Sequence, residues 1–142
     1  MHKIQWNDCL SVGIKKLDEQ HKELIRIINS LLERDNLNDH PEDIAEALDR
    51  MTKYADYHFN TEEKLMLEYG YPGHASHHSE HTAFKARTAN FCIDAIAQKP
   101  ALPRELLSYL TTWLTNHILQ SDMQYKAYFE EKGLADSSPT GK

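Results

Sequence analysis

The sequence predicts an all-α protein: an up-down-up-down antiparallel four-helix bundle with an extended N-terminal arm. Three observations lead there. Four stretches each carry one apolar stripe recurring at three- and four-residue steps. Short connections, several with Pro or Gly, separate them, and short connections make helices antiparallel neighbours. Before the first stripe, Ile4, Trp6, Leu10, Val12 and Ile14 sit at even positions, the alternation of an extended segment.

Residues 1–17 are read as an arm laid on the body and anchored by Trp6, residues 18–133 as the bundle, and residues 134–142 as a disordered polar tail. The first helix is expected to begin near Asp18, a good N-cap residue, and to bury His21, Leu24, Ile25, Ile28, Leu31 and Leu32. Asp39 or His40 caps the second, with Pro41 in its first turn and Glu42 and Asp43 where the helix dipole favours acids. Its stripe runs Ile44, Leu48, Met51, Ala55, His58, Glu62, Leu65 or Met66, Tyr69. Gly70-Tyr71-Pro72-Gly73 breaks the chain, and a third helix from about His74 to Gln98 carries His77, His81, Phe84, Thr88, Phe91 and Ala95. Pro103 opens the fourth, whose stripe is Leu106, Leu110, Trp113, Leu114, His117, Ser121, Tyr125 and Tyr128 or Phe129, with Gly133 as its stop.

A chain of 142 residues is large enough for one domain with a real core. The net charge of −6 argues against nucleic acid as a partner. No apolar run is long enough for membrane insertion, and no signal peptide is visible at the start. Cys9 and Cys92 lack a C-x-x-C spacing and are read as reduced thiols, so the expected location is cytoplasmic; the expected state is a monomer.

The anomaly is nine histidines. His58 and Glu62, and His77 and His81, are four residues apart, so each pair shares one helix face at positions where the stripes call for apolar residues. Counted from the connecting turns at about 1.5 Å per residue, His21, His58, Glu62, His81 and His117 fall within about one turn of a common height. Asp122 follows His117 by five residues, about 140° round an ideal helix, so spacing alone leaves it open; a local distortion of the helix would bring it in. His2, His40, His74 and His78 are read as surface residues, Glu63 and Glu80 as solvated acids, and Met51, Met66, Tyr125 and Tyr128 as core.

Five imidazoles and two carboxylates exceed the needs of one metal ion. If both carboxylates bridge and an oxo or hydroxo group is shared, the donors fill all but one position of two octahedral ions. The mixed imidazole–carboxylate set suits iron, although zinc, manganese and cobalt bind such sets too. With only two anionic side chains it favours reversible dioxygen binding over cleavage of the O–O bond.

The motifs carrying this pattern are Trp6, Val12-Gly13-Ile14, Leu17-Asp18-Glu19-Gln20-His21, His58-Phe59-x-x-Glu62-Glu63, Gly70-Tyr71-Pro72, His77-x-x-x-His81 and Trp113-Leu114-x-x-His117-Ile118-x-x-x-Asp122. From about Trp6 to Gly133 the chain resembles the hemerythrin family in its bacterial single-domain form. The resemblance implies that His77, His81 and His117 hold one iron, that His21 and His58 hold a second with the open position, and that Glu62 and Asp122 bridge them. It also implies dioxygen as the ligand, and an oxygen pocket whose apolar wall is expected from Leu24, Ile25, Phe59, Trp113 and Leu114. The expected role is an oxygen carrier, store or delivery partner for an oxygen-consuming enzyme, and not an enzyme itself. The alternatives are a sensor of oxygen, nitric oxide or redox state, a di-iron peroxidase or nitric oxide reductase, and a structural zinc bundle.

Overall fold

A computed structural model of the chain describes residues 4–34 and 36–133. Four helical rods make up the body, and the described residues contain no strand. Rod α1 is Lys15–Leu32. Rod α2 joins Pro41–Tyr54, a π-helical turn Ala55–Phe59 and Asn60–Glu68. Rod α3 is His74–Ile96. Rod α4 joins Leu102–Trp113, a π-helical stretch Leu114–Asp122 and Met123–Glu131. Contacts run from α1 to α2 and α4, and from α3 to α2 and α4, which closes the four rods into a bundle. Among the described residues no helix is long and apolar enough to cross a membrane.

The arm alternates as its sequence requires: Leu10, Val12 and Ile14 are buried, whereas Gln5, Asn7 and Cys9 are exposed. Its start is tied to α1 by the Asn29 side-chain amide, which accepts from Ile4 N–H at 2.8 Å and donates to the Ile4 carbonyl at 2.8 Å. Helix α1 begins one turn earlier than expected. Asp18 does not cap it; its carboxylate reaches back to accept from the Ser11 hydroxyl at 2.5 Å and Val12 N–H at 2.9 Å. The acid is spent on the arm's backbone, and helical φ/ψ runs back to Lys15. The expected tail, residues 134–142, and His2 lie outside the described residues.

The turn after α2 follows from Gly70. Its φ of +66° is a left-handed conformation that glycine adopts without a Cβ penalty. Gly70 N–H donates to the Leu67 carbonyl and Tyr71 N–H to the Met66 carbonyl, which is the Schellman pattern. Gly73 serves close approach instead: a Cβ there would lie 2.6 Å from the Tyr71 ring.

Two apolar clusters stack along the bundle. The larger contains Leu24, Ile28, Met51, Phe59, Phe84, Leu110 and Leu114. The smaller contains Val12, Ile14, Leu17, Met66, Tyr125 and Phe129. Between them each rod places polar side chains: His21 lies between Leu17 and Leu24, and Glu62 between Phe59 and Met66. The fold therefore carries a buried polar layer sandwiched by hydrocarbon.

Candidate metal centre

All four rods contribute to that layer. His21 comes from α1, His58 and Glu62 from α2, His77 and His81 from α3, and His117 and Asp122 from α4; each is at most 3% exposed. The structure thus brings together all seven residues singled out from the sequence.

Asp122 arrives by a π-helical stretch. The i→i+5 hydrogen bonds of Leu114–Asp122 widen the turn, so residues five apart share a face. The buried stripe therefore steps from His117 to Asp122, and Ser121, expected on it, is only half-buried. A second π-helical turn, Ala55–Phe59, carries His58.

The carboxylates lie between two groups of imidazoles. Glu62 Oε2 is 3.1 Å from His58 Nε2 and 3.5 Å from His21 Nε2, while Glu62 Oε1 is 3.1 Å from His81 Nε2 and 4.0 Å from His117 Nε2. Asp122 Oδ2 is 2.9 Å from His21 Nε2, while Asp122 Oδ1 is 2.6 Å from His77 Nε2 and 3.1 Å from His117 Nε2. One oxygen of each acid faces His21 and His58; the other faces His77, His81 and His117. The donor atoms form two sets, each within 4.8 Å: Glu62 with His77, His81 and His117, and Glu62 with Asp122, His21 and His58.

The outer ring nitrogens explain why the inner ones are free to bind metal. His81 Nδ1 donates to Glu63 Oε2 at 2.7 Å, and His117 Nδ1 to Glu80 Oε1 at 2.5 Å. His58 Nδ1 donates to Gln20 Oε1. Ionised carboxylates only accept, so the proton sits on Nδ1 and the Nε2 lone pair points inward. Glu63 also takes His78 Nδ1 at 2.8 Å, and Glu80 takes the Ser121 hydroxyl at 3.0 Å. Glu63 and Glu80 are therefore not merely solvated acids. Each precedes or follows a predicted ligand in sequence, but its partner lies on another rod, which no spacing rule along one helix reports.

Charge is strongly coupled here. Burial disfavours the His21 cation, but hydrogen bonds and charge from Asp122 and Glu62 outweigh it and raise its pKa to about 9. Burial opposes His117 likewise, and Asp122, Glu62 and Glu80 drive its pKa well up. Burial lowers His58, Glu62 only partly offsetting it. Burial pushes Glu62 up, yet His58, His117 and His21 hold it well below the usual carboxylate range; Asp122 is lowered in the same way by His117 and His21. Protons thus balance the carboxylates where cations would. Four buried atoms, His21 Nε2, His58 Nε2, Glu62 Oε1 and Asp122 Oδ2, have no aligned hydrogen-bond partner in the protein. Unsatisfied imidazole and carboxylate atoms converging from three rods are what a bound metal cation would satisfy.

The expected pocket residues Leu24, Ile25, Phe59, Trp113 and Leu114 are all buried in the larger apolar cluster. Two of them pack on the three-histidine side: Phe59 stacks on His81 at 3.9 Å between centroids, and Trp113 on His117 at 4.0 Å. The ring stacked on His58 is Tyr54, at 5.1 Å, a residue the sequence pattern had not flagged.

Known proteins share this chain's pattern. A family profile described as "Hemerythrin HHE cation binding domain" matches residues 12–129. A bacteriohemerythrin of Clostridium acetobutylicum is 31% identical over 124 residues, 84% of this chain and 96% of that protein. One from Pseudomonas aeruginosa is 33% identical over 125 residues, covering 88% and 80%. A solved structure of a hemerythrin leucine-to-tyrosine mutant superposes with a TM-score of 0.79 at 23% identity, covering 97% of this chain and 100% of that one.

Proposed function

The chain belongs to the hemerythrin family, and on that premise we propose that its buried layer holds two iron ions and binds dioxygen reversibly, as a carrier, a store or a delivery partner for an oxygen-consuming enzyme. The observation that carries this reading is the division of donors: three imidazoles on one side, two on the other, and both carboxylates presenting one oxygen to each. His77, His81 and His117 would hold one ion and His21 and His58 the other, with Glu62, Asp122 and an oxo or hydroxo group bridging. His21 and His58 are one imidazole fewer than the other side offers, so an ion held there would keep a position free for a ligand.

Iron in such a site supplies the electrons and the coordination position that dioxygen needs. The protein supplies the rest. Glu63, Glu80 and Gln20 hold the imidazoles in the tautomer that faces inward. The apolar cluster of Leu24, Ile25, Phe59, Trp113 and Leu114 keeps bulk water away from the layer, which slows irreversible oxidation. Two carboxylates among five neutral imidazoles donate less charge than four-carboxylate di-iron sets, which favours binding over oxygenation.

The test is optical. Protein grown without metal bias and carrying iron is reduced anaerobically with dithionite, exposed to air, then stripped of oxygen. The reading expects a spectrum that appears with air and vanishes without it over repeated cycles. Steady turnover of peroxide or nitric oxide would identify an enzyme instead, and a colourless zinc protein would identify a structural site.

A further inference from the structure

The two sides of the buried layer differ in what stands behind their imidazoles. On the three-histidine side, His81 Nδ1 meets the Glu63 carboxylate and His117 Nδ1 the Glu80 carboxylate. On the two-histidine side, no carboxylate among the described residues backs either ring. His21 Nδ1 has no hydrogen-bond partner in the protein, and His58 Nδ1 donates to the side-chain oxygen of Gln20, a neutral acceptor.

Gln20 is fixed in one orientation. It is 7% exposed and sits on α1 beside His21. Its side-chain N–H faces the Thr61 hydroxyl oxygen at 3.4 Å, and that hydroxyl donates its own proton to the Tyr57 carbonyl at 2.8 Å. A hydroxyl has one proton to give, so towards Gln20 Thr61 only accepts. The amide nitrogen is thereby turned to Thr61 and the amide oxygen to His58. An amide oxygen only accepts as well, so the proton stays on His58 Nδ1 and the Nε2 lone pair faces the layer.

The charge of the acceptor sets how much electron density a ring can give. A carboxylate behind the N–H draws its proton and makes the ring a stronger base towards a metal. A neutral amide does so less, because hydrogen bonds to an ionised acceptor are roughly twice as strong. A ring with no acceptor gains nothing. The three-histidine side is therefore the stronger donor set by count and by backing. Strong donors hold an ion tightly and favour its higher oxidation state; weak donors favour the lower.

We propose that Gln20 is a positioning residue that keeps the two-histidine ion the more weakly held and the harder to oxidise of the pair. This rests on the two-ion reading above and deepens it: the three-histidine side fills first, and the ion with the free position stays ferrous in the absence of a ligand. Glutamate at 20 would keep the shape and remove the distinction, so the neutral charge of the amide carries the effect.

The experiment titrates the metal-free full chain with ferrous iron under nitrogen, by calorimetry, in the native protein, Gln20→Glu and Gln20→Met. Each iron-loaded protein is then titrated potentiometrically. The native chain is expected to bind in two steps, the tighter first. Gln20→Glu is expected to tighten the second step about tenfold, to leave the first unchanged and to lower the midpoint potential. Gln20→Met keeps the length but offers only a weak sulfur acceptor, and is expected to weaken the second step about tenfold and raise the potential. Opposite signs in the two variants mark tuning through His58, because a merely structural role would harm both alike. An unmoved second step and potential in both variants, or an effect confined to the first step, would overturn the role of Gln20 while leaving the two-ion centre standing. A native chain that takes up a single ion would overturn the centre and this role with it. If Gln20→Glu does not fold, Gln20→Met decides alone, and native behaviour there would overturn the proposal.

Discussion

The Tyr125 hydroxyl donates a 2.5 Å hydrogen bond to Glu62 Oε2, the carboxylate oxygen that also faces His58 and His21. Tyr125 is fully buried in the smaller apolar cluster, so its phenol ties that cluster to the buried polar layer. Burial and the charges of Asp122 and Glu62 raise the Tyr125 pKa well above its ordinary value, and the group remains a donor throughout the accessible range.

Tyr125→Phe should therefore cost the metal-free protein about 1–3 kcal/mol, because it strips a buried charged acceptor of its donor. Urea unfolding of the metal-free variant checks this. Unchanged stability would show that the carboxylate finds another partner.

The acids behind the imidazoles should matter for metal rather than for folding. Glu80→Gln keeps the shape but weakens the acceptor for His117 Nδ1, and iron affinity should fall by about tenfold or more. Competition with a chelator of known affinity measures it. Glu63→Gln should act in the same direction through His81.

In the metal-free protein, the pKa of His21 rises from 6.5 to about 9. A raised histidine contributes stability that is fully present below 6.5 and is lost as pH climbs through about 9. Thermal midpoints of the metal-free protein should accordingly fall across that interval. Metal loading must remove the His21 proton, so within the same interval it should release protons into a weakly buffered, dye-containing solution. Loading without proton release would contradict the imidazolium–carboxylate balance.

Gln98, at the end of α3, has a φ of +54°, the one positive value on a non-glycine among the described residues. It occupies the left-handed position of a Schellman turn, in which Gln98 N–H reaches the Ala95 carbonyl and Lys99 N–H the Asp94 carbonyl. Gln98→Gly should stabilise the fold by about 0.5–1 kcal/mol by relieving the Cβ clash, net of glycine's entropy. Denaturant midpoints of the two proteins measure the difference.

How far the sequence could be read follows from which physics each feature uses. The rods were legible because each buries one continuous stripe, and Pro41, Gly70 and Pro103 punctuate them. Inward histidines stood out because they interrupt those stripes. Asp18 misled because an acid just before an apolar run reads as a cap, whereas its partners, Ser11 and Val12, lie upstream in the arm. Asp122 was ambiguous because stripe reading assumes α-helical spacing, and the widened turn that carries it has no signature in residue type. Glu63, Glu80, Gln20 and Tyr54 act across rods, and their partners are set by packing that a one-dimensional pattern does not encode.

The central claim is that seven side chains from four rods hold two ions, one of them short of a full shell. Diffraction from crystals of the iron-loaded protein, with anomalous differences collected at the iron edge, tests it most directly. The account predicts two peaks, one bound by His77, His81 and His117 and one by His21 and His58, with Glu62 and Asp122 touching both. A single peak, or a second ion that leaves His21 or Asp122 unbound, would contradict it.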